Sequence, residues 1–229
     1  LTAISATQLD RRPVSTPATV NAIVPLALLE AIRNLDTPLD DGLPAELAAE
    51  TITKRLGLST TVAAQIQRYR EMADGGLGVS EEEAVQVFRL VGRRPDATLG
   101  YSDAGRRAAR LAARRNGGDP PWIWRLLPGS VRRRAGERRA GRALSRVFGI
   151  ALDRDGDNGE GAAPLSLRLT ESLATRSGFE GNGCYFYAAL AAELLRITSG
   201  FEGSMVHDRC RVRGDELCRW RAADADRTW

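Results

Sequence analysis

Lysine is almost missing from this 229-residue chain: Lys54 stands alone among 33 basic side chains, the rest being arginine, as a GC-rich bacterial genome would give. Long apolar runs are missing too. The best stretch, Val20 to Leu29, is followed by Glu30 and Arg33, well short of the ~20 residues a membrane helix needs. It also lacks a basic flank and a small-residue cleavage site, so no signal peptide is read and a cytoplasmic address is expected. Histidine occurs once, at His207, and cysteine three times. Three cysteines cannot all pair within one chain, and a cytosol would keep them reduced. A dinucleotide fingerprint is lacking, because Gly178, Gly181 and Gly183 are in the wrong order for it and fit a loop entering a helix. Asp153, Asp155 and Asp157 resemble the start of a calcium loop, but Asn158 and Pro164 stand where that loop needs Gly and Glu. No internal repeat or low-complexity segment is present.

What is there describes a globular chain, 43% hydrophobic and 27% charged. Its charge is uneven. Thirteen arginines between Arg106 and Arg146 face two acids, Asp119 and Glu137, while the remainder is acidic on balance. Arg132, Arg133, Arg134, Arg138, Arg139 and Arg142 could line a helix face that meets phosphates or another anion. The alternatives are a solvated helix or a dimer surface. No helix-turn-helix signature accompanies the arginines, and charge alone does not read bases.

Residues 1–18 read as a flexible tail. From Thr19 onward Ile23, Leu26, Leu29 and Ile32 recur at helical spacing. Helices are predicted over Ala45 to Leu56, over Thr60 to Met72 capped by Ser59 or Thr60, and from a Ser80/Glu83 capping box through Val85, Phe88 and Val91. Another is predicted from Ser102 to Arg115. A helical stretch from Trp122 to Phe148 is broken at Pro128-Gly129. Leu165, Leu167 and Leu169 then alternate with polar residues as a half-buried strand, after an acidic, glycine-rich loop from Asp153 to Gly161. Cys184 to Ile197 reads as a helix whose core face is Phe186, Leu190, Leu194 and Ile197. Two strands follow, Gly203 to Val212 and Glu216 to Ala222, with Gly214-Asp215 as the turn. Helices first, then strand, helix and hairpin, make the class α+β. The division expected is a tail at 1–18, a helical region at 19–100, a ligand-binding domain at 101–222 and a tail at 223–229.

The chemistry-bearing residues are concentrated. Cys184, His207, Cys210 and Cys218 are separated by 22, 2 and 7 residues. If Arg213, Gly214 and Asp215 form the hairpin loop, Cys210 and Cys218 lie opposite each other, with Cβ atoms ~4.5–5.5 Å apart. Two sulfurs could then share an ion at ~2.3 Å each. His207, three residues before Cys210, needs a bulge or a strand start to turn the same way. Cys184 at its helix start would be the fourth ligand, leaving no open coordination position and hence a structural role. The alternatives are three buried thiols with a surface histidine, or a Cys210–Cys218 disulfide.

The run Gly183-Cys184-Tyr185, and then Met205-Val206-His207-Asp208-Arg209-Cys210 through Gly214-Asp215-Glu216-Leu217-Cys218-Arg219-Trp220, resembles the 4-vinyl-reductase domain. That family is found in bacteriochlorophyll 4-vinyl-reductase-like proteins and in phenol-sensing bacterial activators. It closes with an acid-x-x-Cys, a Gly-Asp turn and a final Cys before an aromatic. Leu126-Leu127-Pro128 to Leu144 and Val20-Asn21-Ala22-Ile23 resemble its upstream segments. The resemblance implies zinc held by Cys184, His207, Cys210 and Cys218, with His207 standing where the family usually has glutamate.

It also implies a fold like that of NO-signalling and Golgi-transport proteins, a pocket for a hydrophobic, aromatic or tetrapyrrole-like small molecule, and a homodimer. The expected role is a sensor or carrier. An accessory enzyme or carrier in tetrapyrrole or bacteriochlorophyll-type biosynthesis, or a nucleic-acid-binding regulator, are the alternatives. With His207 on zinc, no histidine would remain for acid–base work, and no catalytic residue is singled out. Candidate pocket residues are Trp122, Trp124, Phe148, Phe179, Tyr185, Phe186 and Tyr187. The activators carry ATPase and DNA-binding domains that these residues do not contain, so output is expected through a protein partner or the chain's own surface.

Overall fold

The computed structural model describes residues 19–37, 56–115, 128–154, 164–178 and 181–224. The predicted helix over Ala45 to Leu56 falls outside them except for Leu56, as do the N-terminal tail, Trp122 to Leu127 and residues 155–163. The architecture is α+β: a helix-rich assembly with a four-stranded antiparallel sheet and a separate two-stranded ribbon.

The ribbon joins β1 (Thr19–Asn21) to β2 (Gly78–Ser80), with Val20 opposite Val79. Neither strand is legible in the sequence, since three residues are too short for a period to register. Asn21 Oδ1 accepts the Ile23 N–H at 3.0 Å and so starts α1 (Ile23–Asp36). The four residues at spacing three are buried, but so are Val24, Ala27 and Leu28, which makes α1 a central helix rather than a surface one. Ser59 caps α2 (Thr60–Asp74) by accepting the Val62 N–H, and Ser80 caps α3 (Glu81–Gly92) by accepting the Glu83 N–H. The reciprocal half of the predicted capping box does not form. The Glu83 carboxylate turns instead to Arg68 at 2.7 Å and the Tyr69 hydroxyl at 2.8 Å, which are stronger partners.

Helix α4 (Ala97–Arg115) starts five residues before the predicted Ser102 and runs through the expected division at residue 100. Its buried stripe is Ala97, Gly100, Tyr101, Ala104, Gly105, Ala108, Ala109 and Ala112. Such small side chains let it lie close along α7 (Cys184–Ser199). At Gly105 an added Cβ would run into the Phe186 carbonyl and lie 2.9 Å from the Ala189 Cβ. The two helices are also joined by Arg110, which donates to the buried Glu193 at 2.8 Å.

Helix α5 (Gly129–Ala143) packs on the end of α7, where a Cβ at Gly136 would run into the Thr198 carbonyl and come within 2.6 Å of the Ser199 Cα. Ile197 is not core as predicted but 39% exposed. After α5 the helix widens into a π segment, Leu144–Phe148, closed by Gly149 at φ 67°.

The four-stranded sheet has the order β3 (Leu152–Arg154), β4 (Leu165–Leu169), β6 (Cys218–Asp224), β5 (Gly203–Arg209). Asp153 and Arg154 therefore belong to a strand and not to the predicted loop. In β4 the alternation fails at Ser166, which is small, sits between its cross-strand partners Asp153 and Arg221, and is fully buried. Leu167, Met205 and Trp220 bring the sheet into the same core as α1, α4 and α7.

A partly buried ion network centred on the buried Asp36 closes the N-terminal part. Asp36 accepts the Gly57 N–H at 2.8 Å and both terminal nitrogens of Arg94, at 3.0 and 2.8 Å, while Arg94 Nε reaches Asp96 at 2.7 Å. The Arg94 guanidinium holds the Asp96 carboxyl below its ordinary value of 3.8.

Replacing Arg94 by Met removes two charged donors from the buried Asp36 and is expected to cost about 3 kcal/mol in urea unfolding. Because the folded Asp96 carboxyl is depressed, its stabilisation is present above the ordinary value and lost as pH falls through the lower, folded one. The Met variant should show a weaker acid dependence in that window. Gly105→Ala, which overpacks a helix–helix contact, is expected to cost about 1–3 kcal/mol by the same measurement.

Candidate metal centre

Cys184 is the first residue of α7, entered through Gly181-Asn182-Gly183. Gly181 is left-handed at φ 79°, and the Cys210 sulfur lies 3.4 Å from where its Cβ would be. At Gly183 a Cβ would come within 2.8 Å of the Ala174 Cβ in α6 (Leu173–Ser177). These glycines let the loop pass close to the sulfurs and the neighbouring helix, which is why they fit no phosphate-loop pattern. The start of a helix also favours negative charge, and so a thiolate.

The hairpin supplies the other three residues. Its register passes from His207 opposite Trp220 to Arg209 opposite Arg219, leaving Asp208 bulged. That bulge is the turn His207 needs. Strand β5 ends at Arg209, earlier than the predicted Val212, because the Cys210 carbonyl accepts the N–H groups of both Arg213 (2.9 Å) and Asp215 (3.2 Å). The chain curls into a 3-10 turn, Arg211–Arg213, and the connection is longer than the three residues expected. Gly214, at φ 101°, lets it reverse. The Cys210 N–H donates to Asp215 Oδ2 at 2.6 Å, and the Arg211 N–H donates to the Cys218 sulfur at 3.4 Å.

One ligand atom from each of Cys184, His207, Cys210 and Cys218 lies within 4.8 Å of the other three, close enough to hold a metal ion. Cys184 and Cys218 sulfurs are 4.0 Å apart, near the ~3.8 Å tetrahedral edge that follows from ~2.3 Å metal–sulfur bonds. All three cysteines are free and at most 1% exposed. The sulfur contact with Cys184, helped by His207 and the Arg211 N–H, outweighs burial and holds the Cys218 thiol below its ordinary range. The same pairing, together with burial, raises Cys184.

His207 stacks on Trp220, with centroids 4.7 Å apart, and its Nε2 is buried without a hydrogen-bond partner among the described residues. An orphaned imidazole nitrogen beside three sulfurs is what a bound cation would satisfy. Burial pushes the Asp208 carboxyl up, but Arg219 and Arg221 outweigh it and leave it below the usual range, so the bulge is pinned outside the cluster.

Two clefts flank α7. The smaller, about 330 Å³, is lined by Asn182, Tyr185, Met205 and Arg213 together with Cys184, His207 and Cys210. The larger, about 490 Å³, lies between the β1–β2 ribbon, the π segment, the end of β4 and α7. Phe148, Phe186 and Tyr187 line the larger cleft and Tyr185 the smaller. The predicted pocket is thus divided, and Trp122, Trp124 and Phe179 lie outside the described residues. Asn21, Arg146 and Glu171, which also line the larger cleft, are not among the candidate pocket residues.

Among the arginines, Arg133 pairs with Glu137 and Arg139 is also engaged, whereas Arg132, Arg134, Arg138 and Arg142 are exposed. Among the described residues no helix is long and apolar enough to cross a membrane. Comparison with protein-family models, curated proteins and solved structures finds no match.

Cys218→Ser removes a fully buried ligand. It is expected to give a metal-poor protein by elemental analysis, destabilised on the order of 4 kcal/mol. A variant equal to the parent in both respects would sink the metal assignment.

Proposed function

We propose that this chain is a small-molecule-binding protein of the 4-vinyl-reductase type, a sensor or carrier whose C-terminal hairpin is stapled to α7 by structural zinc. The observation that carries the binding role is the larger cleft. Its volume lies in the range of ligand sites, roughly 300–1,000 Å³. Ser145, Arg146, Val147 and Phe148 of the π segment all line it, and π turns concentrate at functional sites.

Phe148, Phe186, Tyr187, Val24 and Leu173 supply an apolar body, with Asn21, Arg146 and Glu171 as polar groups among them. That mixture suits a flat, mainly hydrophobic ligand carrying one or two polar substituents.

Zinc is the metal favoured by the donor set. Three thiolates and an imidazole form a tetrahedral, borderline-soft environment, and four protein ligands leave no position for an activated water. Histidine in place of the family's glutamate keeps the ligand count. The proposed zinc would hold Cys184 at the start of α7 against the hairpin, next to the helical turn that carries Phe186 and Tyr187 into the cleft.

Native mass spectrometry of protein purified without added metal is expected to show one zinc per chain, and denaturation of the same sample should release any copurifying ligand. Substituted aromatics should raise the melting temperature. Phe148→Ala, at a half-buried position, should weaken the best of them about tenfold while leaving the zinc in place. A broad panel without any shift would refute the binding role, and a metal-free protein would refute the staple.

A further inference from the structure

Helix α5 presents two unlike faces. Gly136, Glu137, Ala140 and Ala143 are buried, with Gly136 seated against the backbone of Thr198 and Ser199. On the opposite side Arg134, Arg138 and Arg142 recur every four residues, all exposed. Four residues of helix rise roughly 6 Å, so the three form a nearly straight stripe along the outer face. None of them has a carboxylate partner among the described residues.

Several arginines elsewhere in the described fold are paired. Arg94, Arg107, Arg110, Arg176 and Arg219 each meet an acidic side chain. On α5 the one acid, Glu137, is buried and already engaged by Arg133 and Arg154. Like charges four residues apart destabilise a helix, and here nothing within the described fold offsets them.

We infer that the outer face of α5 docks on the phosphate backbone of nucleic acid, through Arg134, Arg138 and Arg142, without reading bases. A regular row of forked cations matches a regular row of phosphates, which a protein surface seldom offers, and the spacing is comparable to that of neighbouring phosphates on one strand. A membrane surface is disfavoured because an interfacial helix must sink an apolar face into lipid, and the apolar face of α5 is already packed on α7.

The test uses the full, metal-loaded chain and a fluorescein-labelled, mixed-sequence DNA duplex of about 24 base pairs, followed by anisotropy between about 50 and 200 mM NaCl. Three to four neutralised phosphates should give a log–log salt slope of about −2.7 to −3.6, unchanged when the sequence is shuffled. The triple substitution R134Q/R138Q/R142Q should weaken binding at least tenfold at the lowest salt and flatten the slope by about 2.7. Lysine at the three positions should keep most of the slope, so a folding defect in the glutamine variant would be distinguished. A control with the same charge change elsewhere, R33Q/R93Q/R209Q, should bind within about twofold of the parent. Absence of binding at low salt, equal loss in the stripe and control variants, or binding to phosphatidylserine vesicles but not to DNA would each overturn the proposal.

Discussion

Helix α7 packs against α4, α5 and β5, and its position depends on how closely α4 can approach it. At Gly105 the two backbones are so near that a single methyl group would overlap the Phe186 carbonyl. The alanines on either side of that glycine keep the distance small over several turns. Close approach of this kind gains dispersion contacts and excludes water, but it also fixes the rotation of both helices, because only one face of each is narrow enough. Gly136 repeats the constraint at the far end, where α5 sits on Thr198 and Ser199. With both ends of α7 located by backbone contacts, the direction of each side chain on its first turn is settled before any ligand is considered.

That first turn serves three environments at once. Cys184 points to the sulfur cluster, Tyr185 borders the smaller cleft and is half exposed, and Phe186 and Tyr187 line the larger cleft. Helical geometry separates neighbouring side chains by about 100°, so consecutive residues reach different neighbours without any irregularity in the backbone. On the hairpin side the opposite device operates. Strand residues alternate strictly, and His207 and Cys210 would face different directions in a regular ladder. The bulge at Asp208 breaks the alternation, and its two arginine partners hold the break in place.

Much of this was legible in the residues. The spacing of Cys184, His207, Cys210 and Cys218 announced one cluster, and it asked for a bulge or a strand start at His207, of which the structure uses the bulge. Ser59 and Ser80 marked helix starts, since a serine before an apolar-periodic run offers its oxygen to an orphan N–H group. Other features were invisible for physical reasons. Strands of three residues such as β1, β2 and β3 contain too little of a period to detect, and the two faces of Ser166 are decided by its neighbours in the sheet. The fate of Glu83 depended on Arg68 and Tyr69, which come from another helix. Ile197 continued the helical pattern of Phe186, Leu190 and Leu194, yet it is 39% exposed. Local pattern states what a segment prefers; tertiary competition decides which partner it meets.

The π segment illustrates the same point at the larger cleft. Nothing in Leu144-Ser145-Arg146-Val147-Phe148 distinguishes it from ordinary helix, since these residues have no breaker until Gly149. A wider turn inserts one extra residue and rotates all that follows, so Val147 and Phe148 are half-buried at the cleft while Leu144 remains wholly in the core. Helix α5 therefore runs without interruption from an exposed row of arginines into the wall of the larger cleft. Charge and cavity share one rigid element, and the irregular turn between them changes which face is presented to each.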